Sequence, residues 1–566
     1  MTEPPLKSGT QPELVLRNVP PNLFWWILAG LICIWFLTLD VRHLLSSDEG
    51  RYAEIAREMF ASGDWVTIRY NDLKYFEKPP FHLWMTALTY EAFGVGEWQA
   101  RLWGALSGAA GLAMTALAAR RWFGAKVGLL TGAVLLAAPT WNIGSHFNSL
   151  DIGVAGALAS ALAAVLVAQH PQNAPQTRRN WMWIAWLAMA VAVLTKGLIG
   201  IALPGLVLIV YSLVARDWLL WRRLHIVSGA AIFLLVTAPW FVLVSLRNPE
   251  FAHFFFIHEH LQRYLTTVHR RSAPIWFFVP QVLAGFLPWL GLTKRIGQLV
   301  RHDVRASGFK PTVLLATWAS TIFVFFSLSS SKLPGYILPV FPALAMLAAI
   351  VLSRLDGEVW AKHLKVMLVL AGLALLASPL VARTGSSPTS SSLFRVYSFW
   401  IGAACLLLLV GLLIARYLNR DRRVMLSMLA ASMAFFVGTT VGLLGHESLG
   451  KSASGVEVLA PMQALLTPAM PIYSVRLLDH TLPFYLRKTM VMVEVPDELE
   501  FGTEQEPEKW LPTLAAFRNR WVSGPPALAV MTHDTFVTLE AERLPMVFVA
   551  KDAKRVVVSN FSGAAR

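Results

Sequence analysis

Leu23-Phe24-Trp25-Trp26-Ile27-Leu28-Ala29-Gly30-Leu31-Ile32-Cys33-Ile34-Trp35-Phe36-Leu37-Thr38-Leu39 is a run of seventeen residues without a charge. A run of that length and polarity crosses a bilayer as a helix. No small-residue cleavage pattern follows it, so it reads as a retained anchor with the N-terminus cytoplasmic. Further apolar runs lie near 100–119, 127–139, 152–168, 181–194, 198–214, 226–244, 275–292, 311–328, 337–352, 366–381, 398–415 and 424–444. Together they predict a polytopic α-helical membrane protein of about thirteen spans. The composition agrees. Of 566 residues 55% are hydrophobic and only 15% are charged, with a mean hydropathy of +0.53, which excludes a soluble globule.

The net charge of +15 is distributed as topology requires. Every second loop is basic, beginning with Arg120, Arg121 and Lys126 and continuing through Arg178–Arg179, Arg216, Arg222 and Arg223 to Arg420, Arg422 and Arg423. Those loops are cytoplasmic by the positive-inside rule, so the basic excess does not imply nucleic acid as a partner. The alternate loops face outward, which in a bacterium means the periplasm, and an odd span count places the tail there too. Both cysteines, Cys33 and Cys405, fall inside apolar runs, so neither a disulfide between aqueous parts nor a cysteine-rich metal site is expected.

Two domains are predicted. Residues 1–445 form the membrane domain, with juxtamembrane helices in the outward loop 40–99. Residues 446–566 form a small periplasmic α/β domain, with strand-like runs at 472–478, 489–495, 527–530 and 547–558 and a helix-like stretch at 506–520. The segment 81–93 is too short to span and is expected as a helix in the interface. No internal repeat with matching broken helices is present, and the charges near spans do not sit at mid-depth, which argues against a flippase.

The outward loop 40–80 is the densest polar region. Tyr52, Ile55, Ala56, Met59 and Phe60 recur at helical spacing, with Arg51, Glu54, Arg57 and Glu58 opposite, predicting an amphipathic helix on the membrane surface. Two readings of Asp48-Glu49 stand: a capping box of Ser46 with Glu49, or a carboxylate at Asp48 projecting into a cavity. In Tyr75-Phe76-Glu77-Lys78-Pro79-Pro80 the prolines stiffen the chain, so Lys78 either holds an anion at headgroup level or snorkels to a lipid phosphate. Asp151 and Lys196 border spans and face a cavity or each other. Arg263 can reach a phosphate, and Tyr336 can donate to one or join the aromatic belt. His258 and His260 could join Glu77 around a structural divalent metal, although residues two apart on a helix do not converge.

These residues resemble a known family. Asp48-Glu49 with Arg51-Tyr52-Ala53-Glu54-Ile55-Ala56-Arg57-Glu58-Met59, Ala61-Ser62-Gly63-Asp64-Trp65, and Tyr75-Phe76-Glu77-Lys78-Pro79 are similar to the bacterial aminoarabinose transferases of lipid A. Thr195-Lys196-Gly197, Glu259-His260 with Gln262-Arg263, and Lys332-Leu333-Pro334 with Tyr336-Ile337-Leu338 extend the likeness to the tenth span. The wider group is the GT-C glycosyltransferases that use polyprenyl-phosphate sugars, which includes protein O-mannosyltransferases.

The resemblance implies an inverting transfer of 4-amino-4-deoxy-L-arabinose from undecaprenyl phosphate to a lipid A phosphate at the periplasmic face of the inner membrane, with no cofactor needed for the chemistry. It implies Asp48 as the catalytic or acceptor-positioning carboxylate and Lys78, Arg263 and Tyr336 on the carrier phosphate. Glu49, Arg51, Tyr52, Tyr75, Asp151 and Lys196 would line the cavity. His258 beside Glu259 departs from the family pattern and, with Glu77, leaves a structural metal as an expectation. The rivals are transfer of another sugar or to another acceptor, such as mannose to protein, and a lipid or sugar flippase.

Overall fold

The computed structural model describes residues 21–262, 273–385 and 388–562, with side chains at 21–28, 259–262 and 388–389 excepted. The chain enters on α1 (Pro21–Leu37), then forms α2 (Asp48–Ser62), a hairpin of β1 (Arg69–Tyr70) and β2 (Leu73–Lys74), and α3 (Phe81–Phe93). The bundle continues as α4 (Glu97–Phe123), α5 (Ala125–Leu136), α6 (Pro139–Ser145), α7 (Leu150–Ala168), α8 (Pro175–Lys196), α9 (Ile199–Ala215) and α10 (Ile226–Arg247). After a π-helical segment, His253–Gln262, come α11 (Phe278–Gly285), α12 (Thr293–Val304), α13 (Pro311–Leu328), α14 (Phe341–Leu352), α15 (Gly357–Ala377), α16 (Pro388–Arg420) and α17 (Val424–Gly445).

All thirteen apolar runs fall on helical segments. Among the described residues eight helices are long and apolar enough to cross a membrane, and the pair α5 and α6, bent by 69°, has the joint length and polarity of a broken span or a re-entrant loop. The bend falls where Ala138 turns extended before Pro139, as the residue before a proline is driven to do. The run 275–292 departs from expectation: it folds as α11 and a separate 3-10 turn, Leu287–Leu292, with Pro288 opening the turn. The alanine-rich α7 lies at the centre, its apolar window 89% buried, whereas α15 and α16 are only 22% buried and face outward as lipid-contacting helices do.

The tail continues through α18 (Glu447–Ser454), α19 (Leu459–Leu465), α20 (Leu482–Leu486), α21 (Glu500–Gln505), α22 (Leu514–Ser523) and α23 (His533–Ala541). Its strands are β3 (Ile472–Val475), β4 (Val491–Val493), β5 (Leu528–Met531), β6 (Val547–Lys551) and β7 (Val556–Ser559), in the order β4-β3-β5-β7-β6. β3 is parallel to β4 and β5, and β7 is antiparallel to β5 and β6. Both faces are covered, with Ile472 and Val530 in one core and Tyr473 and Ala529 in the other, so the alternation of the strands is spent on two apolar layers.

Two expectations change here. The run 547–558 is two strands, because Asp552 accepts from the amides of Lys554 (2.7 Å) and Arg555 (2.7 Å) and turns the chain. The helix expected at 506–520 starts only at Leu514, where the Thr513 hydroxyl caps the Ala516 amide.

Candidate functional site

The larger correction concerns α2. Its polar face is not left open: every residue from Glu49 to Met59 is buried, because the bundle lies on one side and the C-terminal domain on the other. Its polar face is satisfied internally. The Glu54 carboxylate accepts from Arg57 Nε and Nη2, each at 2.6 Å. Glu58 accepts from the amides of Asn71 (2.7 Å) and Asp72 (2.8 Å), which form the hairpin turn. Both turn residues have positive φ, 51° and 61°, the geometry of a two-residue hairpin and one that Asn and Asp tolerate. Burial and the nearby Glu54 push the Glu58 carboxyl up to about 8.

Nor does the Ser46–Glu49 capping box form; the first turn of α2 carries no side-chain cap. Glu49, expected in the cavity, is withdrawn from it and 2% exposed. Its carboxylate meets Arg101 Nε at 2.7 Å and the Asn148 amide at 3.1 Å. Arg101, fully buried, also donates to the carbonyls of Leu39 (2.7 Å), Arg42 (2.6 Å) and His43 (3.0 Å). One guanidinium therefore gathers the end of the first span and the start of α2. Asn148 extends the clamp by bonding the Glu49 carbonyl (3.0 Å) and His82 Nε2 (2.8 Å).

Asp48 precedes Glu49 by one residue, about 100° around a helix, and so points elsewhere. It remains about one-third exposed and pairs with Arg51. Burial opposes the charge on Arg51, yet Tyr75, Tyr52, Asp48 and Glu77 together hold its pKa well above the ordinary value. Tyr52 is held protonated by burial, reinforced by Asp48, Glu77 and Asp151. These charges act on two adjacent residues, Arg51 and Tyr52, the guanidinium lying 5.0 Å from the centre of the Tyr52 ring. Glu77 accepts from the Tyr75 hydroxyl at 3.3 Å and lies 3.6 Å from Lys78 Nζ.

From the bundle, the end of α8 brings Lys196 onto Asp151 at the start of α7, forming the ion pair that the sequence left open. The same ammonium sits 4.2 Å from the centre of the Tyr336 ring, a cation–π contact. Gly335 permits this approach, since a Cβ there would fall on the Asp151 carboxylate.

Sequence reasoning missed the contribution of the C-terminal domain. Glu498 pairs with Arg51 on the side away from the bundle. Glu506 holds Arg69 (3.0 Å) and the Lys74 amide (2.9 Å), the Asn71 side chain accepts from the Met490 amide at 3.0 Å, and the Tyr70 hydroxyl lies 2.9 Å from His480 Nδ1. A Cβ at Gly50 would fall on the His480 carbonyl oxygen, so this glycine sets how closely the domain seats on α2. No local pattern announces such partners. Arg101 did leave a signal, as a lone arginine opening an apolar run.

Arg263 lies outside the described residues. His258 is exposed and stacks on Phe254, with ring centres 5.1 Å apart. Among the described residues no three His, Cys, Asp or Glu side chains gather as a metal site, and Glu77 is engaged by Tyr75 and Lys78.

Comparison with known proteins places this arrangement. Residues 458–560 match the family model of the aminoarabinose transferase C-terminal domain, and residues 77–243 match that of dolichyl-phosphate-mannose-protein mannosyltransferase. An undecaprenyl phosphate-alpha-4-amino-4-deoxy-L-arabinose arabinosyl transferase from Erwinia tasmaniensis is 33% identical over 402 residues, covering 66% of this chain and 70% of that protein. The crystal structure of ArnT from Cupriavidus metallidurans bound to undecaprenyl phosphate is 51% identical with a TM-score of 0.92, covering 96% of this chain and 99% of that one; its apo state gives 0.91. The chain is a multi-pass membrane glycosyltransferase of the GT-C fold and belongs to the aminoarabinose transferase family.

Proposed function

We propose that this protein transfers 4-amino-4-deoxy-L-arabinose from undecaprenyl phosphate to a phosphate of lipid A, with inversion, at the periplasmic face of the bacterial inner membrane. The observation that carries the reading is the convergence of Asp48, Arg51, Tyr75, Glu77, Lys78, Asp151, Lys196 and Tyr336 at one end of the bundle, beneath the C-terminal domain. In the reaction the bond between the anomeric carbon and the carrier phosphate oxygen breaks, its electron pair staying with undecaprenyl phosphate. A lipid A phosphate oxygen forms the new bond from the opposite face.

The departing phosphate gains charge, so preorganised donors aimed at it accelerate the step, each by roughly 10² to 10³. Lys78 and Arg263 take that role, and the Tyr336 hydroxyl assists. The acceptor is already an anion and needs no strong base. Asp48, braced by Arg51, orients the acceptor or the sugar ammonium, while the Asp151–Lys196 pair shapes the wall of the cavity. Lipid A mass spectrometry from cells with and without the gene tests the proposal. The expected result is one aminopentose increment on a phosphate; a different sugar, or none, overturns it.

A further inference from the structure

Between Glu358 and Asp421 the sequence contains no acidic residue, yet the end of α15 and α16 nearest the C-terminal domain carries Arg383 and Arg395. The positive-inside bias accounts for arginines at the opposite end and not for these. The 3-10 turn Ser378–Arg383 lies antiparallel to α16. A Cβ at Gly402 would meet Ser378 Oγ at 3.3 Å, and one at Gly385 would meet the Ser391 Cα at 2.5 Å. Arg383 and Arg395 therefore lie at about the same level, and neither is in an ion pair among the described residues.

The surroundings specify the partner. Leu376 (78% exposed), Leu380, Val396 and Phe399 (74% exposed) form an apolar skirt beneath the two guanidinium groups. Acyl chains below and phosphate above is the outline of an anionic lipid, and guanidinium is matched to phosphate in shape and charge. Donor groups also continue inward. The Tyr397 ring meets His446 at 6.0 Å, and His446 Nδ1 has no hydrogen-bond partner. Beyond it Arg42, 2% exposed and without a carboxylate partner, leaves Nη1 unbonded beside the Arg101–Glu49 clamp.

We propose that Arg383 and Arg395 form the membrane-facing docking site for the phosphorylated glycolipid acceptor, on the Tyr397–His446 side of the bundle. This rests on the acceptor being a lipid phosphate, as proposed above.

The test uses the full-length protein in detergent, with bisphosphorylated lipid A, its dephosphorylated form and phosphatidylglycerol as probes, read by native mass spectrometry. Wild-type protein is expected to bind the phosphorylated glycolipid about tenfold tighter than the dephosphorylated form. The Arg383→Glu, Arg395→Glu double variant is expected to lose that preference, the Arg383→Lys, Arg395→Lys variant to keep most of it, and both to bind undecaprenyl phosphate as wild type does, which reports an intact fold. Arg395→Gln alone gives a milder second variant. Equal binding of both glycolipids by wild type, preference surviving charge reversal, or equal displacement by phosphatidylglycerol would each overturn the docking site. If the glycolipid binds through the arginines but is never glycosylated, docking stands and the acceptor reading falls. If it is glycosylated with an unchanged acceptor KM in the charge-reversed protein, the reverse holds.

Discussion

The two sides of the first turn of α2 carry the same chemistry and do opposite things with it. On one side the Glu49 carboxylate is enclosed, paired with Arg101 and bonded to the Asn148 amide. On the other, Asp48 is left about one-third exposed among Arg51, Tyr52, Tyr75 and Glu77. Helix geometry alone separates them, since a one-residue step turns the side chain by about 100°. The clamped carboxylate fixes where the open one points, so stability and reactivity divide between neighbours.

The sharpest way to break this division is Arg101→Ala. It strands a buried carboxylate and three backbone carbonyls, and removal of one partner from a buried pair costs about 3 to 5 kcal/mol. The unfolding midpoint and the yield of inserted protein should fall steeply, while undecaprenyl phosphate binding per folded molecule falls little. A variant of wild-type stability would show that Arg101 is not the anchor. Next in size is the converse change, Asp48→Asn. It should cut transfer by about a hundredfold, or about 2.7 kcal/mol, with the unfolding midpoint near that of wild type. Near-normal turnover would remove Asp48 from the site.

Gly50→Ala probes the layer above. The added methyl meets the His480 carbonyl, and overpacking of this kind costs about 1 to 3 kcal/mol. Limited proteolysis should find the C-terminal domain loosened, and Arg51 should lose its contact with Glu498 before it loses Asp48. Unchanged protease resistance would mean that the domain accommodates the methyl without moving.

What the sequence disclosed follows the same division. The helical character of the apolar runs, the short helix at 81–93 and most of the residues around Asp48 were legible, because apolar length, proline and unusual charge are local signals. The surroundings of α2 were not. Its period of Tyr52, Ile55, Ala56 and Met59 predicts one apolar face, and nothing in that period reveals that Glu54 and Glu58 are buried too, against Arg57 and a hairpin turn. Glu498 and Glu506 lie more than four hundred residues from Arg51 and Arg69, and only the folded chain brings them together. Glu49 misled for the same reason: the capping-box spacing was present, but Arg101 competes for the carboxylate and wins with a charged, fully buried bond.

The smallest effect lies at the outer end of the clamp, where His43, whose carbonyl accepts from Arg101, bonds Glu447 at the start of α18 at 2.5 Å. The hydrogen bond to Glu447 raises the His43 pKa from 6.5. Burial opposes the charge on Glu447, but bonds from the His43 ring and amide lower its pKa from 4.5. A raised histidine value contributes stability that is complete below 6.5 and is lost as pH rises through the folded value. A lowered carboxylate value contributes stability that is complete above 4.5 and is lost as pH falls through the folded value. The tie is therefore strongest between 4.5 and 6.5. The difference in unfolding midpoint between wild type and His43→Ala should be widest there and narrow on either side. Partial exposure keeps it small. A difference that stays flat from about pH 5 to about pH 9 would show that His43 acts through packing alone, and the charged clamp would then end at Arg101.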